Sequence, residues 1–202
     1  AAAQTERILN YQSDLAIQAD SSLDVVETIT VIAAGVDIKR GIYRDLPTRY
    51  KEEDGQTYTV QLDVLDIKRD GVQESYHTEN MSNGIRIYIG KSNVFLNPGT
   101  YTYTIHYRTL GNIGYFEDFD ELYWNVTGND WKFPIDNAKA TVFLPQGAQG
   151  KEISTSGYTG PQGSREQAYQ LSKNSDGSLA FQSTRALRPY EGLTVAVSFP
   201  KG

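Results

Sequence analysis

Apolar and polar residues alternate with a period of two along this chain, and the alternation is broken at short intervals by residues that turn a backbone sharply. In Tyr101–Arg108, Tyr101, Tyr103, Ile105 and Tyr107 fall on one face and Thr102, Thr104, His106 and Arg108 on the other. Successive side chains of a strand point to opposite faces, so this is a half-buried strand and not a helical stripe. Thr57–Ile67 alternates likewise, with Tyr58, Val60, Leu62, Val64 and Asp66 assigned to one side, and Ile85–Ile89 and Leu193–Phe199 repeat the pattern. Further strands are expected at roughly Ile8–Ala19, Leu23–Ala33, Ala138–Leu144, Gln167–Ser172 and Leu179–Ser183. Between them lie Asp20-Ser21-Ser22, Asp54-Gly55, Asp70-Gly71, Asn83-Gly84, Asn97-Pro98-Gly99 and Asp176-Gly177. Asp-Gly and Asn-Gly supply the positive φ that tight hairpins need.

This pattern predicts an all-β chain, an antiparallel β-sandwich that is immunoglobulin-like in general architecture, with a barrel as the alternative. Fourteen tyrosines, with many threonines and valines, suit pleated and half-buried surfaces. One short helix is expected at Asp118–Tyr123, where Asp118 and Glu121 have the spacing of a capping box. The chain is read as one region, 1–202. The alternative is two sub-lobes, 4–136 and 137–200, meeting near Pro134–Asn137, the second a small β lobe that includes a glycine-rich stretch at Gly147–Gly163.

Composition removes several functions. The chain has no cysteine and only His77 and His106, which excludes disulfides, a cysteine nucleophile and thiolate or multi-histidine zinc sites within it. A net charge of −6 argues against a nucleic-acid binder, which needs a basic stripe to displace counterions. No metal and no cofactor are expected. The single methionine is Met81, so residue 1 is read as a processed or excised start. No run approaches the ~18 apolar residues of a membrane helix. The longest candidate, Val25 to Val36, is interrupted by Glu27 and two threonines. Any membrane anchor is expected outside these residues.

Two segments stand apart from the strand pattern. Asp120–Trp131 reads DELYWNVTGNDW and crowds both tryptophans together with carboxylates and amides. Flat apolar area beside directional hydrogen-bonding groups suits a sugar or peptide site; the competing reading is a pair of core tryptophans under a capped loop. Lys39–Tyr50 gathers Lys39, Arg40, Arg44 and Arg49 around Tyr43, Tyr50 and Asp45. Arginine binds carboxylate or phosphate through paired hydrogen bonds, so an anion site competes with an ordered loop in which Arg40 or Arg44 pairs with Asp45 or Asp120.

The acidic run Glu117, Asp118, Asp120 and Glu121 lacks the alternating ligands and distal glutamate of a calcium loop. A glycosidase-like pair at Asp120 and Glu121 is the catalytic alternative. Gly157–Gly163 reads as a structural loop that offers Tyr158, without the lysine of a phosphate-binding loop. His106 reads as exposed and alone, Ser164 has no nucleophile-elbow context, and the Asn125-Val126-Thr127 sequon is discounted. The binding candidates are Arg40, Tyr43, Arg44, Asp45, Asp120, Glu121, Tyr123, Trp124, Asn125, Asn129, Trp131 and Tyr158, and no catalytic residue is assigned.

RGIYRDLPTRY at 40–50, DELYWNVTGNDWKFPI at 120–135 and GYTGPQG at 157–163, in this order, resemble the bacterial YciQ-like family of predicted membrane proteins, whose N-terminal region is a domain of unknown function. The resemblance covers nearly the whole chain. It implies a signal peptide, an extracytoplasmic β-rich region, then membrane helices. It carries no activity or catalytic residues. Asp20-Ser21-Ser22 departs from the Asp-Gly-Ser expected at that turn. The resulting expectation is a non-catalytic ectodomain, tethered to the cell membrane, that recognises an envelope protein, peptide or glycan. A purely structural spacer, or a hydrolase using Asp120 or Glu121, are the alternatives.

Overall fold

A computed structural model describes residues 5–202 and contains strands but no helix among them. In chain order the strands are β1 (Arg7–Ile17), β2 (Leu23–Ala33), β3 (Tyr43–Pro47), β4 (Arg49–Lys51), β5 (Thr57–Thr59), β6 (Gln61–Arg69), β7 (Val72–Gln73), β8 (Tyr76–Asn80) and β9 (Gly84–Ile89). They continue as β10 (Gly99–Leu110), β11 (Ile113–Tyr115), β12 (Asp120–Asn125), β13 (Ala138–Phe143), β14 (Ser154–Gly160), β15 (Tyr169–Lys173), β16 (Leu179–Ser183) and β17 (Gly192–Phe199).

The largest layer is an eight-stranded sheet in the order β15-β16-β13-β1-β2-β10-β6-β7. Its neighbours are antiparallel except β1 and β13, which run parallel with Tyr11 opposite Ala138. Smaller sheets complete the sandwich: β11-β12-β17-β14, β3-β9-β8, and the pair β4-β5. The 134–137 segment runs beside the start of β1, since Ile8 N donates to Pro134 O and Asp136 N to Ile8 O, both at 2.9 Å. It thereby delivers β13 to the edge of β1. The eight-stranded sheet thus takes strands from both sides of this junction.

The core follows from the alternation. Every second residue of β2 from Leu23 to Ala33 is buried, and Tyr103, Ile105 and Tyr107 of β10 share that face. Leu46, Ile87 and Ile89 from the three-stranded sheet, and Leu122, Trp124, Val195 and Val197 from the four-stranded one, join the same hydrophobic cluster. The sandwich expected from the pattern is therefore the architecture observed.

Three local expectations differ from the structure. Thr57–Ile67 is not one strand: it breaks before Gln61, and β6 slips register where Asp66 and Val64 oppose His106 and Tyr107. The extra residue, Leu65, turns outward at 47% exposure, so Val64 and Ile67 both face in and Asp66 does not share Val64's face. The helix expected at Asp118–Tyr123 is absent; β12 occupies the position because Leu122 and Trp124 alternate inward against Val197 and Val195 of β17. The glycine-rich stretch contains a strand, β14, whose glycines are tolerated by close packing: a Cβ on Gly157 would stand 2.9 Å from the Tyr169 ring.

At the β6–β7 turn Asp70 and Gly71 have φ of 50° and 81°, the positive pair a two-residue hairpin requires. Gly84 serves differently, because a Cβ there would lie 2.1 Å from Leu46 O of the paired strand. Gly84→Ala should force β3 and β9 apart and lower stability by about 1–3 kcal/mol, read as a lower urea midpoint. An unchanged midpoint would mean that this pairing yields freely.

Candidate functional site

Glu27 sits fully buried at the inward centre of β2, on the face that also carries Val25 and Ile29. A carboxylate there is tolerable only if paired. Arg44 of β3 reaches across from the opposing layer, 3% exposed, and grips it bidentately: Nε to Oε1 at 2.8 Å and Nη2 to Oε2 at 2.9 Å. Tyr107 donates its hydroxyl to Glu27 Oε2 at 2.8 Å. Two further guanidinium donors go to backbone carbonyls, Nη1 to Asp45 at 2.9 Å and Nη2 to Val126 at 3.2 Å. Burial alone would ease the proton off Arg44, but Glu27 with Tyr11 and Tyr107 together outweigh it and hold the guanidinium charged. Burial first, with Glu27 adding to it, pushes the Tyr107 hydroxyl up; burial does the same to Tyr11.

The bond to Val126 joins the two unusual segments. Trp131 docks edge-on to Tyr11, ring centroids 6.2 Å apart, and donates from Nε1 to Thr127 O at 2.8 Å. Asn125 accepts from Gly128 N at 3.0 Å and donates to Asn129 Oδ1 at 2.7 Å. Asn129 donates in turn to the carbonyls of Gly160 and Tyr190, both at 3.2 Å. Thr127 Oγ1 accepts from Leu193 N at 3.1 Å. The amides of this segment therefore hold three loops together.

The arginine–carboxylate pairing anticipated between the two segments runs elsewhere. Arg44 takes Glu27, because Asp120 lies at the far end of β12, where Lys201 binds it at 2.7 Å. Asp45 is gripped by Arg86 at 2.7 and 2.9 Å, and Arg86 also lies 4.1 Å over the Tyr43 ring. Arg40 rests on the Phe95 ring at 4.5 Å. Glu121 is half-buried opposite Ser198. His106 is not alone: its Nε2 lies 3.0 Å from Asp24 across the sheet.

Between the β3 side and the β12–β17–β14 face opens a cleft of about 960 Å³. Of the candidates, it gathers Arg44, Asp45, Tyr123, Trp124, Asn125, Asn129 and Tyr158. Arg40, Asp120, Glu121 and Trp131 do not line it. Tyr43 and Trp131 face a smaller cavity of about 100 Å³ alongside, shared with Arg44 and Asp45. Tyr123 is 60% exposed, whereas Trp124 and Trp131 are buried. One cleft wall, the loop around Pro161–Arg165, is fastened by Arg185, which binds Glu166 at 2.7 and 2.8 Å and Glu191 at 3.0 Å from each of two nitrogens. Arg185 holds both carboxyls below the usual range. Among the described residues no group of His, Cys, Asp and Glu is arranged to hold a metal ion.

The binding candidates read from the sequence left out Glu27, Tyr107 and the cleft cations Lys51 and Arg165, while Arg49 was named only among the cations of Lys39–Tyr50. Glu27 carried a legible signal, since it occupies the apolar phase of its strand. Arg49 lay in the basic segment already singled out, but Arg165 gave no signal, since it meets Arg49 and Lys51 only through the fold.

The fold defines a strand-only sandwich domain with an open cleft between its layers. Over residues 7–199 the sequence matches the family described as predicted membrane protein (DUF2207) N-terminal domain, and the chain belongs to that family. It is 35% identical over 130 residues to the uncharacterized protein YciQ of Escherichia coli (strain K12), covering 64% of this chain and 21% of that protein. The match therefore spans about a fifth of the relative's length. Among solved structures, yeast LTA4 hydrolase superposes with a TM-score of 0.60 at 11% identity over 96% of this chain and 29% of its own. An M1 zinc metallopeptidase from Deinococcus radiodurans gives 0.50 at 14% over 95% and 42%. At these identities the likeness is one of fold.

Two outcomes follow from the buried cluster. Glu27→Leu and Arg44→Met should each cost about 3–5 kcal/mol by stranding the other charge, while the double variant should lose less than either single one. Additive losses in denaturant titrations would show that the pair acts as two independent groups. Burial also raises Tyr11, Tyr103 and Tyr107 above the ordinary phenol value. Their stabilising contribution is complete below pH ~10, the unfolded value, and is lost as pH rises beyond it. These phenols should ionise only as the fold is lost, with a urea midpoint that falls above that pH. Ionisation of all 14 tyrosines near pH ~10 with structure intact would contradict this.

Proposed function

We propose that this region is a non-catalytic recognition domain on the extracytoplasmic side of a membrane-anchored envelope protein, and that it takes its partner in the inter-sheet cleft. The observation that carries the reading is the cleft itself. It offers the exposed Tyr123 and the half-buried Tyr50 and Tyr158 around a floor whose amides are fixed by Asn125 and Asn129. Tyrosine gives broad contact area at low entropic cost, which suits recognition more than chemistry.

The cleft's carboxylates support the same view. Of the two acids in the lining, Asp45 is tied to Arg86, which leaves Asp130 as the one without an ion-pair partner among the described residues. Asp120 and Glu121, the catalytic alternative, lie outside the cleft, and Asp120 is bound by Lys201. A membrane setting is supported by the family description. No helix among the described residues is long and apolar enough to cross a membrane.

A membrane-impermeant crosslinker applied to cells or spheroplasts carrying the full-length protein tests both parts. The wild type should capture a partner, and Tyr123→Ala with Tyr158→Ala should lose capture while the thermal midpoint stays within about 1–2 °C, as for surface substitutions. Reaction only after lysis would overturn the extracytoplasmic placement. Capture undiminished in the variant would move recognition away from the cleft.

A further inference from the structure

We infer that the cleft binds an extended, acidic polypeptide segment, a specificity that rests on the recognition role proposed above. The chain carries a net charge of −6, yet the cleft is lined by Arg49, Lys51 and Arg165. None of the three has an ion-pair partner among the described residues, whereas the neighbouring Arg44, Arg86 and Arg185 are all paired. Against them the lining sets two acids, Asp45 and Asp130, and Asp45 is already held by Arg86. The acidic turn Glu52–Asp54 lies past the end of β4, outside the lining. A concavity with uncompensated cations in an acidic domain focuses attraction on an anionic ligand.

The other polar groups narrow the ligand further. Asn125 and Asn129 are engaged with each other and with Gly128, Gly160 and Tyr190, so the floor amides serve mainly to hold the backbone. The charge that stays unpaired in the lining is mostly positive, Arg49, Lys51 and Arg165 against Asp130, and it stands beside the faces of Tyr123 and Tyr158. Arg49 and Lys51 are alternate residues of β4, both exposed, so they project from one side of it about 7 Å apart. An extended peptide presents its own alternate side chains at that same interval. Glutamates or aspartates at alternate positions would meet Arg49 and Lys51, with Tyr123 and Tyr158 packing against the intervening residues and Arg165 facing the far end.

A fluorescein-labelled peptide of alternating glutamate and tyrosine is the probe, titrated with the intact chain and read by fluorescence anisotropy. A glutamine-for-glutamate peptide and oligogalacturonate competitors serve as further arms. Binding should weaken at least tenfold for Arg49→Glu with Lys51→Glu, weaken for Arg165→Glu, fall steeply with added salt, and be undetectable for the glutamine peptide. Circular dichroism melting checks that each variant is folded, and Arg49→Lys should retain most of the affinity if charge is what counts. No binding of the acidic peptide, or equal binding by the charge-reversed chain, overturns the inference. Tighter binding of oligogalacturonate with the same sensitivity overturns it in favour of an acidic glycan. If the glutamine peptide binds as well and Tyr123→Ala abolishes it, the acidic specificity fails while the cleft keeps its role. If cleft variants leave partner capture by the full-length protein intact, the role itself fails.

Discussion

One buried ion pair organises this domain. Glu27 belongs to the centre of the large sheet and Arg44 to the opposing layer, so their bond crosses the sandwich. Two ions removed from water are costly, and the cost is offset here by further hydrogen bonds, from Tyr107 to Glu27 and from Arg44 to two backbone carbonyls. Those extra bonds make the pair a register device. An apolar core tolerates small slips between layers, whereas a bidentate guanidinium bound to a third element at Val126 does not. The position of β3 and the path of the chain leaving β12 are thereby settled together.

That dependence links the core to the cleft. The floor residues Asn125 and Asn129 belong to the same turn whose backbone Arg44 engages, and Gly128 within it would place a Cβ 3.0 Å from Arg44 Nη1. The opposite wall is held by Arg185 through Glu166 and Glu191. Each side of the cleft is therefore anchored by a paired arginine, whereas Arg49 and Arg165 of its lining have no ion-pair partner among the described residues. A lining preorganised in this way loses little freedom when a ligand is bound.

Much of the fold was legible from alternation, because strands such as β2 and β10 bury one face against a single continuous core. Where the pattern misled, tertiary context was the cause. The bulge at Leu65 inverts the phase of β6, and single-strand patterning carries no sign of a residue that its neighbour skips. Acidic residues at helix-capping spacing suggested a helix at 118–123, yet pairing with β17 placed Leu122 and Trp124 inward and made a strand. The site was legible in part. The segments around Arg44 and Asn125 do converge, but through Val126 and Glu27 in place of the acids that sequence proximity suggested. The cations of the cleft come from β4 and a loop more than a hundred residues later, a juxtaposition that no local motif encodes.

The parallel pairing of β1 with β13 has a bearing on how the chain is assembled. β1 is joined to β2 by the turn at Asp20–Ser22, but its other edge is satisfied only by later residues, Ile8 by the 134–136 segment and Tyr11–Ala16 by Ala138–Phe143. During synthesis, more than half the chain must emerge before that edge closes. Such long-range pairing is slow, and an open strand edge invites wrong neighbours. The half-made domain thus holds an exposed, hydrogen-bond-hungry rim for most of its production, a state suited to a chain kept extended and escorted until its later strands arrive.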